Sequence, residues 1–246
     1  MTCRTIKANT APQSVVIAAC QVKAEAPEEA EKQDTAKSEE KAVRSNRKKV
    51  RIIDRVFDQI IRAMGEMIEV RDPYTSGHQR RVAQISVEIA KLMALPDNQI
   101  KGIQMAAQVH DIGKLAIPSD ILSKPGKLNQ MEFGLIKTHS SIGYDILKEI
   151  EFPWPLADIV LQHHERINGS GYPAGLQRDQ ISLESRIISV ADVIEAMSSN
   201  RPYRPAIGIE LAIEEISEKR GLLYDSNVVE ACLSLFNEKS YWIPER

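Results

Sequence analysis

The sequence predicts an all-α protein: a helical bundle with one long loop rich in glycine and proline, preceded by a mostly disordered N-terminal tail. Apolar residues recur at helical spacing from Val50 onward. Proline and glycine divide this pattern into segments of ordinary helix length. Strand-like alternation is scarce, and no internal repeat is present. The composition, 43% hydrophobic and 27% charged over 246 residues, is ordinary for a soluble globular protein.

The first 49 residues differ in composition from the rest of the chain. Val15–Cys20 is a short apolar stretch that could form one strand. Residues 24–49 are rich in Glu, Lys, Ala and Gln and contain almost no large apolar side chain. Such a segment cannot bury enough surface to offset the entropy of ordering. The sequence therefore predicts a disordered or loosely helical tail over residues 1–49 and a folded domain over residues 50–246.

Four helices are predicted in the first half of the domain. Their approximate bounds are 50–70, 75–93, 96–111 and 129–149. The first ends at Asp72-Pro73 because proline breaks a helix. The last begins at Asn129, whose side chain can cap the first turn. Between the last two, glycine and proline predict a loop with one short helical turn.

The second half is predicted to hold a short helix, a long loop and three more helices. The short helix ends at His163-His164. Residues 166–182 form the loop, since four glycines and prolines fall within seven positions: Gly169, Gly171, Pro173 and Gly175. Residues 182–199 read as a buried helix, and two further helices complete the C-terminal part.

Charge, cysteine content and hydropathy exclude several classes of protein. The formal net charge of −2 gives no reason to expect a polymeric nucleic acid as partner. Three scattered cysteines, Cys3, Cys20 and Cys232, fit a reducing compartment and argue against a disulfide framework. No segment has the length and apolarity of a membrane span or secretory signal. A cytoplasmic location is therefore predicted.

The chain contains five histidines, and each lies within or at the end of a predicted helix: His78, His110, His139, His163 and His164. Asp111 and Asp192 are the nearest potential carboxylate partners. Asp192 lies in an apolar helix, where an ionised carboxylate is costly unless a positive group meets it. A single histidine in a helix is more often a packed or exposed residue than a metal ligand. Here, however, all five histidines of the chain belong to the predicted set.

These residues together predict a metal site. Imidazole and carboxylate groups suit iron, manganese, zinc and similar ions. A carboxylate has two oxygens, so Asp111 could bridge two ions, and such a pair can stabilise the attacking and leaving oxygens of an in-line phosphoryl displacement. The sequence shows no Gly-x-Ser-x-Gly turn, and no cysteine lies near a histidine. Covalent catalysis is correspondingly less favoured.

Several motifs resemble the HD phosphohydrolase superfamily and its HD-GYP subclass. The run HDIGKLAIP at residues 110–118 resembles the superfamily signature, with His78 upstream and Asp192 downstream. The run HHERINGSGYP at residues 163–173 and the run NRPYR at residues 200–204 resemble the HD-GYP subclass. The resemblance covers about residues 50–240 and implies an HD-type helical bundle. It also implies hydrolysis of the bacterial messenger cyclic di-GMP to pGpG or onward to GMP, with a metal-bound hydroxide as nucleophile.

The resemblance also implies roles for individual residues and a cofactor. Two divalent ions per chain are implied, iron or manganese in the first place, with magnesium, nickel and zinc as alternatives. One ion would be held by His78, His110, Asp111 and Asp192. The other would be held by Asp111, His139, His163 and His164. Lys114, beside the catalytic Asp111, would contact a substrate phosphate, and Arg201 and Arg204 would be further phosphate contacts.

The loop that names the subclass is implied to contact substrate or partner through Gly171, Tyr172 and Pro173. The implied partners are diguanylate cyclases, the GGDEF proteins. Asn168 stands where the family usually has Asp, which puts loop contacts in doubt more than metal binding. Tyr74 stands where members with a third ion have Glu, so two ions are expected. Glu165 is predicted either to orient a metal ligand or to lie exposed at a helix end.

Two alternative functions remain open from the sequence. The chain could bind cyclic dinucleotides or dock partner signalling proteins with weak turnover, or it could hydrolyse another cyclic dinucleotide. The apolar stripe of the helix at residues 50–70 could pack on the bundle or pair with a second chain; in the second case the protein would be a homodimer.

Overall fold

The computed structural model describes residues 55–72, 76–199 and 207–237, together with a few residues further upstream: Arg44, Ser45, Lys48, Ile52 and Ile53. The chain divides into two compact units, Met1–Ile52 and Ile53–Arg246. Most of the first unit lies outside the described residues, and so do the strand predicted at Val15–Cys20 and most of the predicted disordered tail.

The described part of the second unit is helical. Helix α1 spans residues 55–71. The helices that follow are α2 (His78–Leu92), α3 (Asp97–Val109), α4 (Ser119–Leu122), α5 (Gln130–Lys137), α6 (His139–Leu147), α7 (Leu156–Gln162), α8 (Leu183–Ser198), α9 (Ile209–Glu218) and α10 (Ser226–Asn237). Short 3-10 helices lie at Ile112–Ala116 and Arg178–Gln180. The described residues contain no strand and two isolated bridges. The predicted all-α fold is confirmed.

Two of the predicted helix boundaries were wrong. Helix α2 begins at His78 and not near Thr75, because Gly77 adopts a left-handed backbone with φ 74° that a helix cannot include. The single helix predicted over residues 129–149 is interrupted at Thr138. There the Thr138 hydroxyl and the His139 ring donate to carbonyls three residues earlier, at 2.7 Å each. Such side-chain bonds compete with the regular helical ladder.

Other predicted helix starts are confirmed. The Asn129 side chain accepts from the backbone N–H of Glu132, and the Glu132 carboxylate accepts from the N–H of Asn129. This reciprocal pair is a capping box, which satisfies two otherwise unpaired donors of α5. Ser182 caps α8 through its hydroxyl, which accepts from the N–H of Ser185. The loop predicted at residues 166–182 is also present.

Helices α2 and α8 form the centre of the fold. Helix α2 packs against both α3 and α8, and α6 packs against α7 and the 3-10 helix Ile112–Ala116. The interior of α8 is fully buried and apolar at Ile187, Ile188 and Val190. This packing places the start of α2 and the end of α3 beside Asp192 on α8, a partly buried residue. Within the described residues, no helix combines the length and apolar character needed to cross a bilayer.

Candidate metal centre

The side chains of all seven predicted metal ligands lie close together at one end of helices α2, α3, α6 and α7. Two groups of potential ligand atoms are present, and in each the atoms lie within 4.8 Å of one another. The first group is His78, His110 and Asp111; the second is Asp111, His139, His163 and His164. Asp192 adjoins the first group, with its Oδ1 3.3 Å from His78 Nε2. Asp111 belongs to both groups, as expected of a carboxylate that bridges two ions.

Most of these side chains sit where a helix begins or ends. His78 and His139 are the first residues of α2 and α6, whereas His110 and His163 are the C-caps of α3 and α7. Asp111 precedes the 3-10 helix Ile112–Ala116. Asp192 alone lies mid-helix, in α8. Helix ends allow rings from separate helices to approach: the His78 and His110 ring centroids are 5.3 Å apart, and those of His139 and His163 are 5.2 Å apart.

Backbone carbonyls orient three of the imidazoles. The Nδ1 atoms of His110 and His139 each lie 2.7 Å from the carbonyl three residues earlier, and His163 Nδ1 lies 2.5 Å from the carbonyl of Val160. A carbonyl only accepts, so each Nδ1 carries the proton and each Nε2 presents its lone pair to the centre. Fixing the tautomer in this way is typical of histidines that ligate metals.

The Nε2 atoms need a positive partner. His110 Nε2 is buried and has no hydrogen-bond partner among the described residues. The Nε2 atoms of His139 and His163 approach to 3.2 Å. With both Nδ1 atoms protonated, two lone pairs face each other there, which is unfavourable unless a cation lies between them. The donor set therefore fits divalent metal ions.

The protonation states suit the same role. Burial lowers the pKa of His110 and His139, and it holds the pKa of His163 and His164 well below the usual range. These rings are neutral near pH 7, the form that binds metal. Burial alone would raise the pKa of Asp111, but Lys114 and the surrounding imidazoles hold it well below the usual range. Asp111 is therefore an anion.

Lys114 and Gln79 hold the shared carboxylate. Lys114 Nζ lies 2.7 Å from Asp111 Oδ2, and Gln79 Nε2 donates to the same oxygen at 3.2 Å. The sequence prediction placed Lys114 near the centre, but it did not identify Gln79. Gln79 follows His78 directly in the first turn of α2, so its sequence position alone did not distinguish it from an ordinary surface amide.

Glu195 is a functional residue that the sequence analysis missed. It is fully buried, and its Oε2 accepts a hydrogen bond from His78 Nδ1. Its Oε1 accepts from Arg81 Nε at 2.8 Å and from the Ser199 hydroxyl at 2.7 Å. His78 is thus oriented by an anion, whereas carbonyls orient His110, His139 and His163. The available signal was a second carboxylate three residues after Asp192, on the same face of a buried helix.

Glu195→Gln is expected to weaken metal binding in the His78 group. Glutamine keeps the shape but removes the negative charge that makes the His78 ring more basic. We expect metal affinity in that group to fall by about ten- to a hundredfold, with turnover restored by excess metal. Titration of the metal-stripped protein measures this. Glu184→Gln is the control, because Glu184 lies on the same helix and accepts from Gln99 away from the centre. Activity that excess metal fails to restore would indicate a purely structural role.

Glu165 anchors the long loop. It is 3% exposed, so of the two alternatives predicted for Glu165 the exposed helix-end position was wrong. Its Oε1 accepts from the backbone N–H groups of Ala174 at 2.7 Å and Gly175 at 3.1 Å, and its Oε2 accepts from that of Leu176 at 3.0 Å. Glu165 directly follows the His163-His164 pair, so these three charge-assisted hydrogen bonds from consecutive residues tie the loop to the predicted metal ligands.

The predicted loop residues lie beside the second group of ligands. The Tyr172 ring centroid is 4.8 Å from that of His164 and 6.4 Å from that of His139. Burial raises the pKa of the Tyr172 phenol, which stays protonated. At Gly171 a Cβ would lie 2.4 Å from Glu165 Cα, so only glycine fits. Pro173 is exposed beside Tyr172. Arg201, Arg204 and Tyr74 lie outside the described residues, and their predicted roles stay predictions.

Asn168 performs a local structural role in the loop. Its Oδ1 accepts from the backbone N–H of Ser170 at 3.0 Å and from the Ser170 hydroxyl at 2.7 Å. An aspartate would supply the same acceptor, so the departure from the usual family residue preserves this turn.

Glu165→Gln is expected to loosen the loop without emptying the metal centre. The glutamine amide would direct an N–H group at a backbone N–H and would remove the negative charge. We expect the free energy that holds the loop in place to fall by about 2 kcal/mol. We expect roughly ten- to a hundredfold faster hydrogen exchange at residues 174–176, with metal content unchanged. Exchange mass spectrometry measures this. Glu230→Gln, which affects an exposed pair with Arg220, is the control. Unchanged exchange would show that Glu165 does not anchor the loop.

Comparison with known proteins places the chain in a family. The family model for the HD domain matches residues 62–228. The chain is 41% identical over 172 residues to the cyclic di-GMP phosphodiesterase response regulator RpfG of Xanthomonas campestris, covering 69% of this chain and 46% of that protein. It is 42% identical over 182 residues to a cyclic di-GMP phosphodiesterase of Thermotoga maritima, covering 73% and 50%.

A solved structure agrees with this assignment. A cyclic GMP-AMP-specific phosphodiesterase of Vibrio cholerae, V-cGAP3, is 32% identical with a TM-score of 0.50, over 76% of this chain and 42% of that one. The chain therefore belongs to the HD-domain family, and the resemblance to HD-GYP domains found in its motifs is confirmed. It spans about half the length of the curated relatives it matches.

Proposed function

We propose that this domain is a metal-dependent phosphodiesterase that linearises cyclic di-GMP to pGpG and can cleave it onward to GMP. The arrangement of two ligand groups that share Asp111 is the observation that carries the proposal. The names of the relatives from Xanthomonas campestris and Thermotoga maritima support the substrate. The predicted metal ligands are His78, His110, Asp111, His139, His163, His164 and Asp192.

The chain's own residues would prepare the reaction in separate ways. Iron or manganese held by the two groups would polarise the phosphodiester and activate a water molecule. Carbonyls fix the rings of His110, His139 and His163, and Glu195 fixes that of His78, so these four ligands are already oriented before the reaction. Lys114, partly exposed beside Asp111, can donate to a phosphate oxygen and offset its charge. Arg201 and Arg204 are proposed to add further phosphate contacts.

The loop is proposed to contact substrate through Gly171, Tyr172 and Pro173. Tyr172 is supported in this role because its ring lies beside His164. Pro173 and Ala174 are exposed while Glu165 holds the backbone below them, which presents a fixed surface for a GGDEF protein. Retention of a GGDEF protein by the wild-type chain, lost in Ala174→Asp with turnover unchanged, would support this partner. Equal retention by both would exclude the loop as the docking surface.

A second candidate substrate is cyclic GMP-AMP. The Vibrio cholerae relative is named as specific for that compound. It aligns with 76% of this chain, and the cyclic di-GMP phosphodiesterase of Thermotoga maritima aligns with 73%. Both compounds present the same cyclic diester to the metal centre and differ in one base. Binding without turnover is the remaining alternative, and it predicts a nucleotide complex with an intact substrate.

Anaerobic purification followed by a substrate panel tests the proposal. Bound metals are quantified, and cyclic di-GMP, cyclic GMP-AMP and cyclic di-AMP are incubated separately before chromatography of the products. We expect about two ions per chain and fastest turnover of cyclic di-GMP. Faster turnover of cyclic GMP-AMP would reassign the substrate. Metal and nucleotide binding without any turnover would support a docking role instead of an enzyme.

A further inference from the structure

Helix α1 has two apolar faces, and the fold uses one of them. The inner face is buried: Ile61 and Ile68 are fully covered, and Phe57 and Met64 pack against the core. A neighbouring face, about 100° around the helix axis, is also apolar but remains exposed. Its members on α1 are Val56 (45% exposed), Ile60 (50%), Ala63 (exposed), Met67 (57%) and Val70 (83%), and Ile53 (55%), which is also helical, continues the face just upstream of α1.

The exposed residues follow a heptad. Successive members are separated by three, four, three, four and three positions, the a and d spacing of a coiled coil. Scattered apolar residues are normal on a protein surface, but a continuous seam with this period is not. A partner with a matching helical seam is the occupant that this spacing fits.

We propose that this seam pairs with the same seam of a second copy of the chain, as a parallel two-stranded coiled coil. Isoleucines occupy two a positions, Ile53 and Ile60, and β-branched residues there favour two strands. Glu66 and Arg71 are both exposed and occupy a g position and the e position five residues later. In a parallel in-register pair these residues of opposite charge face each other across the seam. Self-complementary charge favours a second copy over an unrelated helix.

The seam extends over two and a half heptads, so we expect a weak, concentration-dependent dimer. Light scattering at increasing concentrations of the full chain measures this. Ile60→Glu should shift the midpoint of dimerisation by at least tenfold in concentration. Leu211→Glu is the matched control, because Leu211 is 49% exposed on helix α9 and lies off the seam. A chain that is monomeric at every concentration, or equal effects of both variants, would overturn the proposal.

Cross-linking tests the orientation. Val70→Cys, made together with Cys3→Ser and Cys20→Ser, places one thiol near the end of each helix; Cys232 is fully buried. Only a parallel pair brings two such thiols together, so we expect a disulfide-linked dimer on mild oxidation. Met131→Cys in the same background is the control, at a residue 86% exposed and off the seam. Cross-linking no better than in this control would overturn the parallel arrangement.

Discussion

Replacing Asp111 by asparagine is expected to abolish turnover and strip the metal centre. Asp111 belongs to both ligand groups, so among the described residues no other single substitution removes a ligand from each group. Asparagine keeps the size of the side chain, but it has no charge and only one coordinating oxygen. We expect metal content to fall from about two ions per chain to less than one. Turnover should fall by roughly a thousandfold or more. Elemental analysis and product chromatography measure the two effects.

Asp145→Asn is the matched control for this variant. Asp145 pairs with Lys148 three residues later at 2.7 Å, as Asp111 pairs with Lys114, but Asp145 is 63% exposed on the surface. An exposed pair contributes less than about 1 kcal/mol, so stability, metal content and turnover should be nearly unchanged. A thermal melt of Asp111→Asn separates loss of metal from loss of fold. Full metal content with wild-type turnover in that variant would contradict the role of Asp111.

The ligand residues could be predicted from the sequence because of their type and scarcity. All five histidines converge, and Asp192 was conspicuous as a carboxylate in an apolar helix. The helix starts at Asn129 and Ser182 were also predictable, since capping depends on a few neighbouring residues. Local physical chemistry determines these features, and so a linear pattern is enough to find them.

The residues that orient the ligands could not be found in this way. Glu195 reaches His78 across 117 positions, and Glu165 binds loop amides nine to eleven positions later. Glutamate is common, and its role depends on the partner that the fold brings to it. The break at Thr138 has the same origin, because it depends on whether two side chains turn back to their own helix. Long-range packing decides these contacts.

Gly113→Ala is expected to destabilise the fold more than any other glycine-to-alanine change in the described residues. A Cβ at Gly113 would lie 1.8 Å from the His139 carbonyl oxygen and 2.7 Å from the backbone N of Gly143. Backbone atoms cannot move aside as side chains do, so the 3-10 helix and α6 must separate. Overpacking of this severity costs about 3 kcal/mol or more. In a chain of this size, the melting temperature should fall by roughly 6 °C or more.

The same displacement would reach the metal centre, because His139 opens α6 and Asp111 lies two residues before Gly113. We therefore expect metal to be lost together with stability. Gly134→Ala on α5 has no atom within 4 Å of the added Cβ and should stabilise by about 0.5–1 kcal/mol through helix propensity. If Gly113→Ala lowers the melting temperature and Gly134→Ala raises it, the loss of stability at Gly113 comes from the close approach of two backbones and not from the loss of a glycine as such. Equal melting temperatures for both variants would mean that α6 can retreat freely from the 3-10 helix, and the rigid placement of His139 inferred from this packing would then be wrong.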